Sequence, residues 1–330
     1  MKLVTFVHDE TSRLGALCGD QGEQVLDLAA VASRCMPHRA GCFDSMLSLI
    51  RAGDEGLALA RQLLEAGGPP ERLRLDGLAL LAPLPLPEQI RDFANYEGHV
   101  RQAIASSMQL RANAQPDPRA ALEAFRAAGA FDIPPVWYER PLYYKGNRFS
   151  VVGHDADVVR PHFARRMDYE LEIAVVIGKK ARNLSPQQAM DAVFGYTIYN
   201  DFSARDIQSQ ETAFRMGPAK GKDFDTGNAL GPCILTRDEV PDPDSLQMRA
   251  WVNGELRSVG KVGGMQHGIA QTISFLSQAE TLYPGEILGM GTVTNGCGYE
   301  SLRFLQDGDV VELEIERIGR LRNRLVATTA

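Results

Sequence analysis

Three carboxylates, an arginine and a glutamine fall between Glu170 and Gln208 at spacings that one divalent-metal site can use. The segment begins Asp168-Tyr-Glu170-Leu-Glu172-Ile-Ala-Val-Val-Ile177 and ends Asn200-Asp201-Phe-Ser-Ala-Arg205-Asp-Ile-Gln208. In an extended strand, residues two apart share a face at a spacing of about 6.6 Å, so Glu170 and Glu172 point the same way. Beyond this pair both faces are apolar, with Ala174 and Val176 on one and Leu171, Ile173 and Val175 on the other. Two adjacent carboxylates buried there cost several kcal/mol unless a cation joins them; a solvated strand end is the alternative for the pair taken alone. Asp201 closes a second apolar strand, where an isolated aspartate is as readily a turn or capping residue. Ser203 reads as the N-cap of a following helix with Asp206 at its third position. Arg205, Gln208 and Thr212 then share one helical face beside Asp201. An all-carboxylate site suits a hard cation, Mg²⁺ first, with Ca²⁺ or Mn²⁺ also accommodated. Such a cation can chelate both oxygens of a 1,3-diketone or 2-oxo acid and stabilise its enolate.

Other candidates are more scattered. His99 stands near Asp92 in a glycine-flanked loop, whereas His267 opens an apolar helix and reads as structural. Glu300 ends the glycine-rich stretch Thr292-Val-Thr-Asn-Gly-Cys-Gly-Tyr-Glu300. Lys222 lies in Gly217-Pro-Ala-Lys-Gly-Lys222, which fails the phosphate-loop pattern because three residues separate the glycines and Asp223 follows the lysine. The glycines of 285–298 likewise fail the dinucleotide fingerprint.

These residues need a frame. The 330 residues, 44% hydrophobic and 23% charged, suffice for a large core in one or two domains. A net charge of −7 and no stripe of Lys and Arg exclude nucleic acid as the expected partner. Five cysteines without a CxxC pair support neither a zinc ribbon nor a disulfide framework, and no apolar run is long enough to span a membrane. A cytoplasmic protein is expected. Short apolar runs at 3–7 and 14–28, broken by turn residues, indicate hairpins; apolar spacing from Ser45 to Gly67 indicates a helix. The proline-rich Ala82-Pro-Leu-Pro-Leu-Pro87 marks a boundary, giving an N-terminal β-rich module over 1–82 and a catalytic domain over 83–330. Arg91 to His99 leads into a helix, and a second is expected over 117–130. From Leu142 onward short strands dominate, at 143–144, 151–152, 158–159, 169–177, 194–200, 233–236, 248–252 and 310–318, interrupted by helices at 203–212 and 267–278. Without regular βαβ alternation, the expected class is α+β, mainly β, with mostly antiparallel strands.

Taken together, the segments from about Asp92 to Arg317 resemble the fumarylacetoacetate hydrolase family. The most specific match is Tyr-Glu170-x-Glu172 followed by Asn-Asp201-Phe-Ser-Ala-Arg205-Asp-Ile-Gln208. The resemblance implies a mixed β-roll catalytic domain, a homodimer, and Asp92, Glu170, Glu172 and Asp201 as metal ligands. It makes His99 the general base for water and Glu300 the residue that orients it. Arg205, Gln208 and Lys222 would hold developing negative charge and help protonate the departing carbon, with Tyr144 and Thr292 facing the substrate. The implied activity is hydrolysis of a C–C bond in an acylpyruvate or other small dioxo substrate. A tautomerase or decarboxylase of a short 2-oxo acid is the alternative; such members carry a glutamate three residues after the histidine, where this chain has Gln102. An inactive, metal-stabilised binding protein is the alternative from another class, and the joint presence of His99, Glu300, Arg205 and Lys222 weighs against it. Ala94 stands where fumarylacetoacetase has a substrate-binding tyrosine. Only Arg101 or Arg111 offers itself as a clamp for a distal carboxylate, so less polar acylpyruvates are the expected substrates.

Overall fold

The structure, a computed structural model, describes residues 1–214 and 217–328. Its centre is a pair of wholly buried antiparallel strands, Leu171–Ile177 and Val193–Asp201, in register from Leu171 opposite Asn200 to Val176 opposite Gly195. Strands covered on both faces read as continuous apolar runs. Ala174 and Val176 face one core, shared with Leu49, Ile50 and Leu63, while Leu171, Ile173, Val175 and Ile177 face another, shared with Met248, Leu313 and Leu321.

The central pair extends in both directions. On one side Val193–Asp201 pairs with Asn228–Thr236, whose far end pairs with Lys2–His8. Residues 1–82 therefore add their strands to the same twelve-stranded sheet, and the helix Met46–Ala66, capped by the Ser45 side chain, covers one face. On the other side Leu171–Ile177 pairs with Glu286–Gly289, which runs parallel to Gln89–Phe93, itself paired with Tyr143–Gly146. A second sheet of five strands, Glu255–Lys261, Gln247–Val252, Val310–Ile315, Gly319–Ala327 and Asp157–Arg160 in spatial order, packs on the opposite face. The architecture is α+β with mixed sheets.

Several elements differ from the sequence reading. Ser203 does not cap a helix: Ser203–Ala204 is a short strand paired with Met167–Asp168, and the helix Arg205–Ala213 begins two residues later. The Ser203 hydroxyl donates instead to the Asp201 carbonyl, at 3.1 Å. Residues 89–93 form a strand rather than a lead into helix, and the helix Glu97–Asn113 starts beyond it. Three further strands, Glu255–Lys261, Glu286–Gly289 and Gly319–Ala327, were not marked by apolar runs; the last alternates Leu321, Asn323 and Leu325 inward with Arg320, Arg322 and Arg324 outward.

Asp92 reaches the middle of the molecule because Gly289 lies opposite it in the parallel pair. A Cβ at 289 would sit 2.6 Å from Asp92 Oδ1 and 2.7 Å from the Tyr199 ring. Overpacking of this kind costs about 1–3 kcal/mol. Gly289→Ala is expected to lower unfolding stability in urea by that amount, and an unchanged midpoint would contradict this packing.

Candidate metal centre and active site

Four carboxylates converge where strands end. Asp92 closes Gln89–Phe93, Glu170 and Glu172 flank the start of Leu171–Ile177, and Asp201 closes Val193–Asp201. All four are buried, and oxygens of Asp92, Glu170 and Glu172 lie within 4.8 Å of one another. Glu172 is aimed by the turn that follows Glu286–Gly289: the Gly291 amide donates to its Oε2 at 3.0 Å and the Thr292 hydroxyl to its Oε1 at 3.1 Å. Gly291 has φ +98°, and a Cβ there would stand 2.5 Å from the Phe93 carbonyl oxygen, so the turn requires glycine. The Tyr144 hydroxyl donates to Asp201 Oδ2. Lys222 donates to Glu170 Oε2 and Asp201 Oδ2, as well as to the Asp201 carbonyl at 3.2 Å. Among the described residues, buried Oδ1 atoms of Asp92 and Asp201 have no donor. Two orphaned carboxylate oxygens in an acidic cluster fit the donor set of a hard divalent cation.

Among the described residues, the charges of the cluster do not balance. Burial raises Glu170, but Arg205 and Lys222 outweigh it and hold this carboxyl well below its usual range. Glu172 is pushed up to about 8 by burial and by the charges of Glu170 and Asp201, and burial together with Glu172 and Asp201 drives Asp92 well upward. Burial and mutual repulsion therefore favour the protonated forms of Asp92 and Glu172, which titrate as a pair. Burial also raises Asp201, against the opposing pull of Lys222. Lys222 remains protonated: burial lowers its pKa, yet Asp201 and Glu170 more than reverse that.

A second network lies beside the first. Arg205, at the start of its helix, donates through Nε and Nη2 to Asp168 Oδ2 at 2.9 and 2.7 Å, through Nη2 to Glu170 Oε1 at 2.8 Å, and through Nη1 to Gln208 Oε1 at 3.0 Å. Asp168 also accepts the amides of Gly298 and Tyr299, at 2.8 and 2.9 Å. It thereby joins Arg205 to the turn that carries Glu300. The sequence reading passed over Asp168; its only signal was its position two residues before Glu170. Glu300 accepts the amides of Asn295 at 3.0 Å and Cys297 at 3.2 Å, and its Oε1 meets His99 Nδ1 at 3.1 Å. His99 Nε2 lies 4.0 Å from Glu170 Oε1.

A cavity of about 480 Å³ opens onto this assembly. Asp92, Glu170, His99, Arg205, Gln208 and Lys222 line it, as do Tyr144 and Thr292, whose hydroxyls are directed to Asp201 and Glu172. Glu172, Asp201 and Glu300 lie behind that surface. Neither Arg101 nor Arg111 lines the cavity: Arg101 pairs with Glu97, and Arg111 lies over the Phe125 ring at 5.1 Å. Gln102 is turned away too, donating to Asn295 Oδ1 at 3.0 Å.

Comparison with known proteins agrees in fold and family. Residues 89–326 match the family described as fumarylacetoacetate (FAA) hydrolase C-terminal. The chain is 34% identical over 292 residues to oxaloacetate tautomerase YisK of Bacillus subtilis, covering 85% of this chain and 86% of that protein. Fumarylacetoacetate hydrolase from the psychrophile Exiguobacterium antarcticum superposes with a TM-score of 0.73 at 27% identity, over 99% of this chain and 100% of that one. Maleylpyruvate hydrolase from Sphingobium sp. SYK-6, solved with manganese(II) and pyruvate, superposes with a TM-score of 0.71 at 25% identity over the full length of both chains.

The raised Glu172 pKa fixes the sign of two effects. A folded-state value near 8 against an ordinary 4.5 means that stability present at low pH is lost from the metal-free fold as pH rises between those values. Cation binding favours the ionised carboxylates and so releases protons. Titration of Mn²⁺ into chelator-stripped protein at pH 7, in buffers of different ionisation enthalpy, is expected to report release of about one proton. A binding heat independent of the buffer would contradict that release.

Proposed function

This chain belongs to the fumarylacetoacetate hydrolase family, and from that premise we propose that it is a divalent-metal-dependent enzyme moving protons at the enol of a small 2-oxo acid. The observation that carries this reading is His99: it lines the cavity, its Nδ1 is tied to Glu300, and its Nε2 is directed towards the carboxylate cluster. Asp92, Glu170, Glu172 and Asp201 would hold the cation. When bound, the cation supplies Lewis acidity that favours the enolate form of a 2-oxo acid.

The residues of the chain supply the rest. Glu300, fixed by two backbone amides, would accept a hydrogen bond from His99 Nδ1–H and so leave Nε2 as the base. In hydrolysis, Nε2 takes a proton from water as its oxygen adds to the distal carbonyl of an acylpyruvate. The bond between that carbonyl carbon and C3 then breaks, its electron pair passes into the pyruvate enolate, and the imidazolium returns the proton to C3. Arg205 and Lys222, both cationic and already ordered by buried acids, stabilise negative charge without reorganising, and Gln208 adds an amide beside them.

Tautomerisation is the second reading. The same Nε2 would take a proton from C3 of the keto form and return it to the enol oxygen, without water as a reactant. The name of the Bacillus subtilis relative favours this branch. Gln102 favours hydrolysis, because it places no acid one turn beyond His99.

Acetylpyruvate cleavage and oxaloacetate keto–enol exchange, measured on one metal-loaded preparation, separate the branches by their kcat/KM values. In either branch His99→Asn is expected to lower kcat by about a hundredfold or more while metal affinity stays near wild type. Loss of metal binding in that variant, or retention of full activity, would contradict His99 as the base.

A further inference from the structure

The cavity lining is of two kinds: carboxylates and cations, and an apolar wall of Ala94, Val100, Ala103, Ile104, Leu142 and Tyr143. Val100, Ala103 and Ile104 recur at helical spacing on Glu97–Asn113, so a single stripe of that helix faces the cavity. Ala94 and Leu142 come from the chain ends beyond the paired strands Gln89–Phe93 and Tyr143–Gly146, joined by the Ala94 amide donating to the Leu142 carbonyl at 3.1 Å. Tyr143 packs on Phe93 with ring centroids 5.0 Å apart. None of the six wall residues is fully buried, and Ala94 and Tyr143 are exposed. This is apolar surface held open beside a polar site, not part of either core.

Of the hydroxyls that line the cavity, those of Ser209 and Thr212 are already engaged, whereas Ser107, one turn beyond Ala103 and Ile104, and Tyr143 bring polar atoms to the apolar side. The Ser209 hydroxyl donates to the Arg205 carbonyl at 2.7 Å, and the Thr212 hydroxyl to the Gln208 carbonyl at 3.0 Å. Among the described residues the cations lining the cavity are Arg205 and Lys222, and each is bonded to two buried carboxylates. A carboxylate placed against the wall would lose water and gain apolar neighbours, whereas an alkyl or aryl group would gain from the same burial.

We propose that this wall is a subsite for an uncharged apolar tail, so that the substrate is a 2-oxo acid bearing an alkyl or aryl substituent rather than a second carboxylate. The inference rests on the reading that a 2-oxo acid head sits at the carboxylate cluster. It assigns Ala94 and Ala103 as size-determining residues: both are small, one enters from the strand side and one from the helix, and a larger side chain at either shortens the subsite.

The test is calorimetric binding of pyruvate, 2-oxopentanoate, 2-oxoheptanoate and 2-oxoglutarate to the full-length, Mn²⁺-loaded protein. Affinity is expected to rise about two- to fourfold per added methylene, and 2-oxopentanoate is expected to bind about tenfold or more tighter than 2-oxoglutarate, which has the same chain length. Ala103→Phe should flatten the series while leaving pyruvate affinity unchanged. Ala94→Phe, at an exposed position, makes the same test from the strand side. Pyruvate binding with a flat series, or a preference for 2-oxoglutarate, overturns the apolar subsite and leaves the 2-oxo acid reading standing. Failure of every 2-oxo acid to bind overturns that reading and the subsite with it.

Discussion

Five buried carboxylates, Asp92, Asp168, Glu170, Glu172 and Asp201, surround two buried cations, Arg205 and Lys222, and this excess of negative charge constrains everything near it. A buried ion pair is tolerable when each charge is matched and hydrogen-bonded, and an unmatched charge is not. Glu170 is matched twice, by Arg205 and Lys222, and Asp168 by Arg205 and three amides. Among the described residues no cation is paired with Asp92 or Glu172, and both are pushed upward, so a proton or a metal ion would relieve their repulsion. That choice couples stability, pH and metal occupancy in one site.

The fold makes such crowding possible by bringing strand ends together. Glu286–Gly289 lies between Leu171–Ile177 and Gln89–Phe93, so the sheet fixes the spacing between Asp92 and the glutamate pair. The chain leaving Glu286–Gly289 then contributes three successive contacts: Gly291 and Thr292 to Glu172, Asn295 and Cys297 to Glu300, and Gly298 and Tyr299 to Asp168. One loop therefore sets the orientation of a candidate metal ligand, the partner of His99 and the anchor of Arg205. Backbone amides can do this more rigidly than side chains, because their positions cost no rotamer entropy once the loop is formed.

The central strands were legible because burial on both faces leaves an unbroken apolar run, and the period of two placed Glu170 and Glu172 on one side. The strand bearing Asp92 was not legible. Gln-Ile-Arg-Asp-Phe carries two charges in five residues, and it is buried only because Arg91 finds Glu280 and Glu286, both remote in sequence. Gly319–Ala327 was hidden by its alternating arginines, which cover the solvent face of a strand paired on both sides rather than a loop. Ser203 misled because a cap motif and a short strand share the same local sequence, and tertiary pairing with Met167–Asp168 decided between them. The contact between His99 and Glu300 spans 201 positions and entered through family resemblance, not through spacing. Asp168 escaped notice because a carboxylate that serves another side chain has no signature of its own.

Thermal unfolding at pH 8, with and without chelator, tests the charge-balance account most directly when wild type is compared with the Asp92→Asn, Glu172→Gln double variant. The account requires chelation to lower the wild-type Tm, because the remaining carboxylates repel one another, and requires the neutralised variant to be indifferent to chelator and no less stable than the metal-free wild type. A wild-type Tm unchanged by chelator, or a double variant less stable than the metal-free wild type, would contradict it.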